Sequence, residues 1–259
     1  MNSRLEVVAC LVLLTACSQA LVSQPTPTST AIPTDTPSPT STPHPTSTPT
    51  HPPTVAPTPT IELPPVTSEF LTDVGMLSYD PFDNMNNWQW DRQTSANNNG
   101  VFEMQGTSFW ASNLSLKQHL SEGEGILLSF KVRSANGQSE FVFVTGDWQT
   151  DSFRQFGIYN HTRPKADLFQ GKYGLGGNDL YGNLNLHADT WYNLLMAIGD
   201  NGEFLAVMWD PNSDGLRAIY NETIGERWTG KEWQFRPKAN EGETLFVDDL
   251  YRFSFGEIK

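Results

Sequence analysis

The stretch from residue 66 onward predicts an all-β sandwich or barrel, on three observations. Short apolar runs recur between Gly, Asn, Asp and Pro punctuation, the pattern of many brief strands joined by turns. No long run of apolar residues holds the helical period. Residues 190–210, TWYNLLMAIGDNGEFLAVMWD, place two apolar runs, 191–198 and 204–209, either side of Gly199-Asp200-Asn201-Gly202. Asn-Gly between apolar runs signals a hairpin, because both residues tolerate positive φ and let the strands pair with the right twist. In the first run Trp191, Asn193, Leu195 and Ala197 take one face, and Tyr192, Leu194, Met196 and Ile198 the other. Neither face is polar, so the hairpin is expected to be covered on both sides and central to a sheet, with Trp191 and Trp209 in the core.

Composition divides the chain of 259 residues: fourteen of its 18 prolines precede Val66, and all eight tryptophans follow it. The later part is long enough to bury a sizeable core. Net charge is −13, without a Lys/Arg cluster, which argues against nucleic acid and against an anionic membrane surface as partners. Cys10 and Cys17 both lie early, so residues 66–259 contain neither disulfide nor thiolate chemistry. His119, His161 and His187 lack ligand spacing, and a histidine-based metal centre is not expected.

In chain order, residues 1–16 read as a secretory signal: Arg4, an apolar run over 7–14, then small residues. Leu14-Thr15-Ala16-Cys17 resembles the lipobox of bacterial lipoproteins, which implies cleavage before Cys17 and lipidation of that residue. Two or more acyl chains anchor stably, each buried CH₂ contributing roughly 0.8 kcal/mol. The membrane would then be met through the lipid alone, with an exported, extracellular domain. Residues 17–65, nearly all Pro, Thr and Ser after the first few, lack the apolar content to offset chain ordering and read as a disordered stalk. Polyproline II at about 3.1 Å per residue gives roughly 40 residues a reach on the order of 100 Å. Strands are then expected near 76–79, 100–104, 109–112, 126–133, 140–145, 153–159, 166–169, 191–198, 204–209, 233–236 and 245–255. The last alternates, with Leu245, Val247, Asp249, Tyr251, Phe253 and Phe255 on one face and Asp248, Arg252 and Ser254 on the other.

Three places together resemble one family. Tyr79-Asp80-Pro81-Phe82-Asp83 followed by Trp88 is similar to the opening strand of concanavalin A-like lectin/glucanase domains (LamG-like jelly rolls). Thr190-Trp191-Tyr192 leading to Gly202-Glu203-Phe204 resembles their hairpin, and 245–255 with Asp248-Asp249 their closing strand. The resemblance implies, over 66–259, a jelly-roll sandwich of two antiparallel sheets whose concave face binds glycans in many members.

Its glucanases carry a Glu-x-Asp-x-x-Glu strand, because retaining hydrolysis needs two carboxyls about 5 Å apart. No such motif occurs here, and no Ser-His-Asp or Cys-His signature does. The expectation is therefore a lipid-anchored, non-catalytic carbohydrate-binding domain with a polysaccharide or cell-surface glycan as partner. A structural or protein-interaction domain and a sugar-modifying enzyme are the alternatives. Sugars pack C–H faces on indole and phenol rings while polar neighbours bind their hydroxyls. Trp148, beside Asp147 in a polar loop, and Trp228 are the leading candidates, with Arg154, Tyr159, Lys172 and Tyr173 lining the sheet between them. The resemblance also implies a possible structural Ca²⁺, for which Asp80, Asp83, Asp248 and Asp249 are the carboxylates available.

Overall fold

The computed structural model describes residues 61–90, 94–107, 114–133, 139–147, 152–160, 165–170, 173–179, 181–182, 184–213, 215, 217–223 and 230–259. After a short helix α1 (Val66–Phe70) come β1 (Gly75–Asp80), β2 (Trp88–Trp90), β3 (Ser95–Asn98), β4 (Val101–Gln105), β5 (Leu114–Leu116) and β6 (Glu124–Arg133). Then follow β7 (Ser139–Asp147), β8 (Ser152–Asn160), β9 (Lys165–Gln170), β10 (Tyr173–Asp179) and β11 (Tyr181–Gly182). The last are β12 (Trp191–Ile198), β13 (Glu203–Trp209), β14 (Arg217–Thr223), β15 (Gln234–Ala239) and β16 (Thr244–Ser254). The predicted strand at 109–112, and residues 1–60 with Cys17, fall outside the described residues. Strands β2, β3, β5, β10, β11 and β14 were not anticipated.

Two antiparallel sheets form the sandwich. The large one runs β11-β14-β13-β12-β6-β16-β4-β3, with β1 also on β16. The small one runs β10-β9-β8-β7-β15. Strands β2 and β5 form a separate two-stranded sheet, tied to the β15 end by the Leu120–Trp233 bridge and a hydrogen bond from Gln234 Nε2 to the Leu116 carbonyl, 3.4 Å. Opening strand β1 pairs with closing strand β16, as the resemblance implies. Between the sheets lies an aromatic core, in which Phe130 meets Phe141 at 4.7 Å and Phe143 meets Phe235 at 5.8 Å. Burying each such ring contributes about 1.5–3 kcal/mol.

The 190–210 hairpin is central, with β12 between β13 and β6. Its connection is a single 3-10 turn, Asp200–Gly202, ending on Gly202 at φ +74, and Gly199 N donates to the Glu203 carbonyl at 2.8 Å. Tyr192, Leu194, Met196 and Ile198 enter the inter-sheet core. Leu195 and Ala197 join Leu205, Val207, Phe253 and Phe255 in a second cluster on the outer face of the large sheet. The segment carrying Leu63, Val66, Phe70 and Leu71 covers that cluster. It is tied down by the Leu71–Ile258 bridge and by Lys259 N donating to the Phe70 carbonyl, 2.8 Å. Two-sided cover is what the doubly apolar pattern required. Trp191 and Trp209, expected in the core, instead share the outer face with Asn193 and are half-buried. Lys131 Nζ stands 5.0 Å from the Trp191 ring centre, a cation over an aromatic face.

Strand β16 departs from the expected alternation. Its register slips between Asp248 and Tyr251, and Asp249 has φ +50. This is a β-bulge, in which one extra residue shifts every later side chain to the opposite face. Leu245, Val247 and Leu250 therefore face the inter-sheet core, whereas Tyr251, Phe253 and Phe255 pack on the outer cluster. The bulge lets one strand serve β4 with its first half and β1 with its second, while β6 runs along its other edge.

Candidate functional site

Asp80, the last residue of β1, organises the turn that follows. It is buried, and its Oδ1 accepts from the Phe82 backbone N–H at 2.8 Å. Its Oδ2 accepts from Trp88 Nε1 at 2.9 Å and from Asn87 Nδ2 at 3.2 Å. This grip holds Phe82 at φ +54, and its ring lies against Trp88 at 5.3 Å. Within the turn Asn86 N donates to Asn84 Oδ1, 3.0 Å, and Lys117 Nζ donates to the Asn86 carbonyl, 2.8 Å.

The β3–β4 hairpin forms the facing wall. Asn98 pairs with Val101, leaving Asn99-Gly100 as a two-residue loop at φ +54 and +86, which is type I′ geometry. A Cβ on Gly100 would stand 3.1 Å from the Pro81 carbonyl oxygen, so the two turns meet at backbone distance. Asn97 donates its Nδ2 to the Phe82 carbonyl, and its Oδ1 accepts from Gly100 N at 3.3 Å.

Between these turns opens a cleft of about 830 Å³, within the roughly 300–1,000 Å³ of small-molecule sites. Five amide side chains line it: Asn84, Asn86, Gln89, Asn97 and Asn99. Asp83, Lys117, Met85 and the half-buried Trp90 complete it, with Trp88 behind. Trp90 is braced edge-on against Phe102 at 5.8 Å and 84°. Each amide offers donor and acceptor together, and the indole adds an apolar wall. Asp83 is the one carboxylate among the described lining residues.

Of the residues expected to form the site, Arg154 and Tyr159 have described side chains, and neither lines the cleft. Trp148, Trp228 and Lys172 fall outside the described residues. Asp147 ends β7 and Tyr173 opens β10, placed by backbone alone. Tyr159 does occupy the outer face of the small sheet, opposite Glu140 in register, but only 8% of it is exposed. Beside it the Lys238–Glu140 ion pair, 3.0 Å, is also buried. Burial holds the Arg236 guanidinium below its ordinary pKa. Arg154 has the parity of Phe156 and Ile158, which are core residues, so it sits on the opposite face from Tyr159. Arg154 and Tyr159 therefore do not line one surface.

The four aspartates are not gathered either. Asp80 points inward, its oxygens taken by N–H donors, while Asp248 and Asp249 lie at the bulge. Asp249 Oδ1 accepts the Tyr79 hydroxyl at 2.5 Å, which together with burial raises the Tyr79 pKa, burial being the larger cause. Among the described residues no group of three or more His, Cys, Asp or Glu is placed to hold a metal. A carboxylate filled by N–H donors does not suit Ca²⁺, which takes six to eight oxygens. The cleft was missed although it has a sequence signal: six asparagines between 84 and 99, and an Asn-Gly pair at 99–100.

No protein-family profile matches the chain, and no curated protein does. Among solved structures, one comes from work on the endo-acting O-glycanases that prominent members of the human gut microbiota express to initiate mucin breakdown. It is 9% identical over 71% of this chain and 100% of that one, with a TM-score of 0.51. The Bacillus licheniformis β-glucanase is 15% identical over 70% of this chain and 98% of its own, TM-score 0.46. The exoplasmic/lumenal domain of VIP36, in a form bound to Ca²⁺ and Man3GlcNAc, is 12% identical over 67% and 86%, TM-score 0.48. At such identities the likeness speaks to the fold, which is that of the concanavalin A-like jelly rolls.

Proposed function

We propose that residues 66–259 form a carbohydrate-binding domain that holds a glycan without cleaving it, in the cleft between the Asp80–Trp88 turn and the Asn99-Gly100 hairpin. The observation that carries this reading is the lining itself, five amides and a braced Trp90 around one open volume. Amides meet sugar hydroxyls as donor and acceptor at once, and the indole packs a sugar C–H face. Among the described lining residues Asp83 is the one carboxylate, where hydrolysis by an acid–base pair needs two, and this favours binding. The sequence supports display at a bacterial surface, with a lipid on Cys17 and residues 17–65 as stalk. Loss of radiolabelled palmitate from a Cys17→Ser chain expressed in bacteria tests the anchor.

Affinity electrophoresis of the full chain through gels containing soluble polysaccharides tests the binding. Retardation by at least one polymer, reduced in Gln89→Ala and Trp90→Ala variants that still unfold cooperatively, is expected. Retardation that survives both variants would remove the cleft from the proposal.

A further inference from the structure

We infer that the corner of the sandwich where β15 turns into β16 is a Ca²⁺ site, built from Glu243, Asn240 and Ser139. Asn240 and Glu243 are the two ends of that turn: Glu243 N donates to the Asn240 carbonyl at 3.0 Å, and Gly242 between them has φ +80. The turn crosses from the small sheet, which holds β15, to the large one, which holds β16. Glu243 continues the parity of the core residues Leu245 and Val247, and Ser139 that of Phe141 and Phe143. The two polar side chains therefore enter the inter-sheet space from opposite sheets. They do so at one end, since Ser139 pairs in register with Ala239, the residue before Asn240. The sheets close in at this point. Gly106 N donates to the Glu243 carbonyl at 2.9 Å, and a Cβ on Gly106 would stand 1.8 Å from the Asn240 carbonyl oxygen and 2.7 Å from that of Ala239.

Burial is what points to a ligand. Glu243 is 5% exposed, Asn240 4% and Ser139 0%. Glu243 Oε2, Asn240 Oδ1 and Ser139 Oγ nevertheless have no hydrogen-bond partner in the protein, and the Glu243 carboxylate makes no ion pair among the described residues. A carboxylate taken out of water is strongly destabilising unless a positive charge meets it. A water molecule would bond to these oxygens without neutralising that charge, whereas a hard cation does both. The groups on offer are oxygens alone: a carboxylate, an amide and a hydroxyl, with the Ala239 and Asn240 carbonyls beside them. Ca²⁺ takes carboxylate, amide and backbone carbonyl oxygens and completes its shell with water. The net charge of −13 draws cations toward the chain. A single carboxylate sets a weak affinity, with a dissociation constant on the order of 10⁻⁴–10⁻³ M. None of the three residues lines the cleft, so the site stands apart from the carbohydrate reading. An ion held there fastens the two sheets together at their β15–β16 end.

The test is thermal unfolding of the full chain, followed by tryptophan fluorescence, in EDTA and in rising CaCl₂. The midpoint should climb by about 3–6 °C once Ca²⁺ reaches about ten times its dissociation constant. Glu243→Gln should abolish that climb while still unfolding cooperatively in EDTA, because it removes the charge that the ion neutralises. Asn240→Asp supplies a second carboxylate and should tighten Ca²⁺ binding about tenfold, read by calorimetric titration with CaCl₂. A parent midpoint that ignores Ca²⁺ at about 10 mM, ten times the weak end of the expected range, would overturn the inference. A climb retained in full by Glu243→Gln would place the ion elsewhere and overturn it too. So would an Asn240→Asp variant that binds Ca²⁺ no more tightly than the parent.

Discussion

Asp80→Ala is the most informative perturbation of the fold around the cleft. The substitution leaves the Phe82 backbone N–H and Trp88 Nε1 without their acceptor, in a place where Phe82 is 0% and Trp88 1% exposed. A buried donor left unsatisfied costs about 1–3 kcal/mol, so the pair together should cost about 2–6 kcal/mol. Asn87 Nδ2 can turn to water and adds little. A loss of that size is a large part of the roughly 5–15 kcal/mol that stabilises a domain. Asp80→Asn should lose nearly as much, because its NH₂ group faces one of the N–H donors that the carboxylate accepted. Equilibrium urea unfolding followed by tryptophan fluorescence measures both. The loss should be the same in Ca²⁺ and in EDTA, since the carboxylate is filled by N–H donors. A loss below about 1 kcal/mol in both variants, or one that appears only with Ca²⁺ present, would refute this account of Asp80.

Lys238→Met removes the ammonium that stands 3.0 Å from the buried Glu140 carboxylate; breaking a buried pair from one side should cost about 3–5 kcal/mol, and the double variant with Glu140→Leu should recover much of it in urea melts. Deleting Asp249 removes the extra residue and leaves a regular strand with Leu250 still inward and Tyr251 still outward, so cooperative thermal unfolding should persist; its loss would contradict the reading of Asp249 as the extra residue. Asp248 titrates above its ordinary value because of burial, then the neighbouring Asp249 carboxylate, partly offset by the Asp249 N–H. The folded state therefore holds this proton more tightly than the unfolded one, and stability from it is present below the unfolded pKa of 3.8 and lost as pH rises through the folded value. Asp248→Asn should accordingly raise the melting midpoint at about pH 7, with the gain vanishing at about pH 3; an equal gain at both would show that charge is not its cause.

The strand-rich class was legible because short apolar runs and turn residues report local backbone preference directly. The central place of the 190–210 hairpin was legible for a related reason, since a strand apolar on both faces must be covered on both. Such a pattern does not say which cover lies where, which is why Trp191 and Trp209 were expected in the inter-sheet core rather than on the outer face beside Lys131. The closing strand misled for a different reason. Leu245 and Tyr251 are an even number of residues apart, so alternation assigns them one face, and nothing in the side chains marks Asp249 as the extra residue that separates them. The cleft was hidden because asparagines between strands read as loop. Their function as a lining depends on the Asp80 grip and on the approach of Gly100 to Pro81, contacts between segments that sequence spacing does not express. Sugar-binding candidates were sought instead among loop tryptophans, and of the side chains proposed to lie between them Tyr159 is buried and Arg154 faces the other way.

The most direct measurement is a calorimetric titration of the full chain with fragments of whichever polysaccharide retards it, repeated with Gln89→Ala in the cleft and Tyr159→Phe on the outer face of the small sheet. The account predicts that Gln89→Ala weakens binding about tenfold, one lost hydrogen bond's worth, while Tyr159→Phe leaves it unchanged. Weakened binding in Tyr159→Phe with none in Gln89→Ala would place the sugar on the sheet face and contradict it.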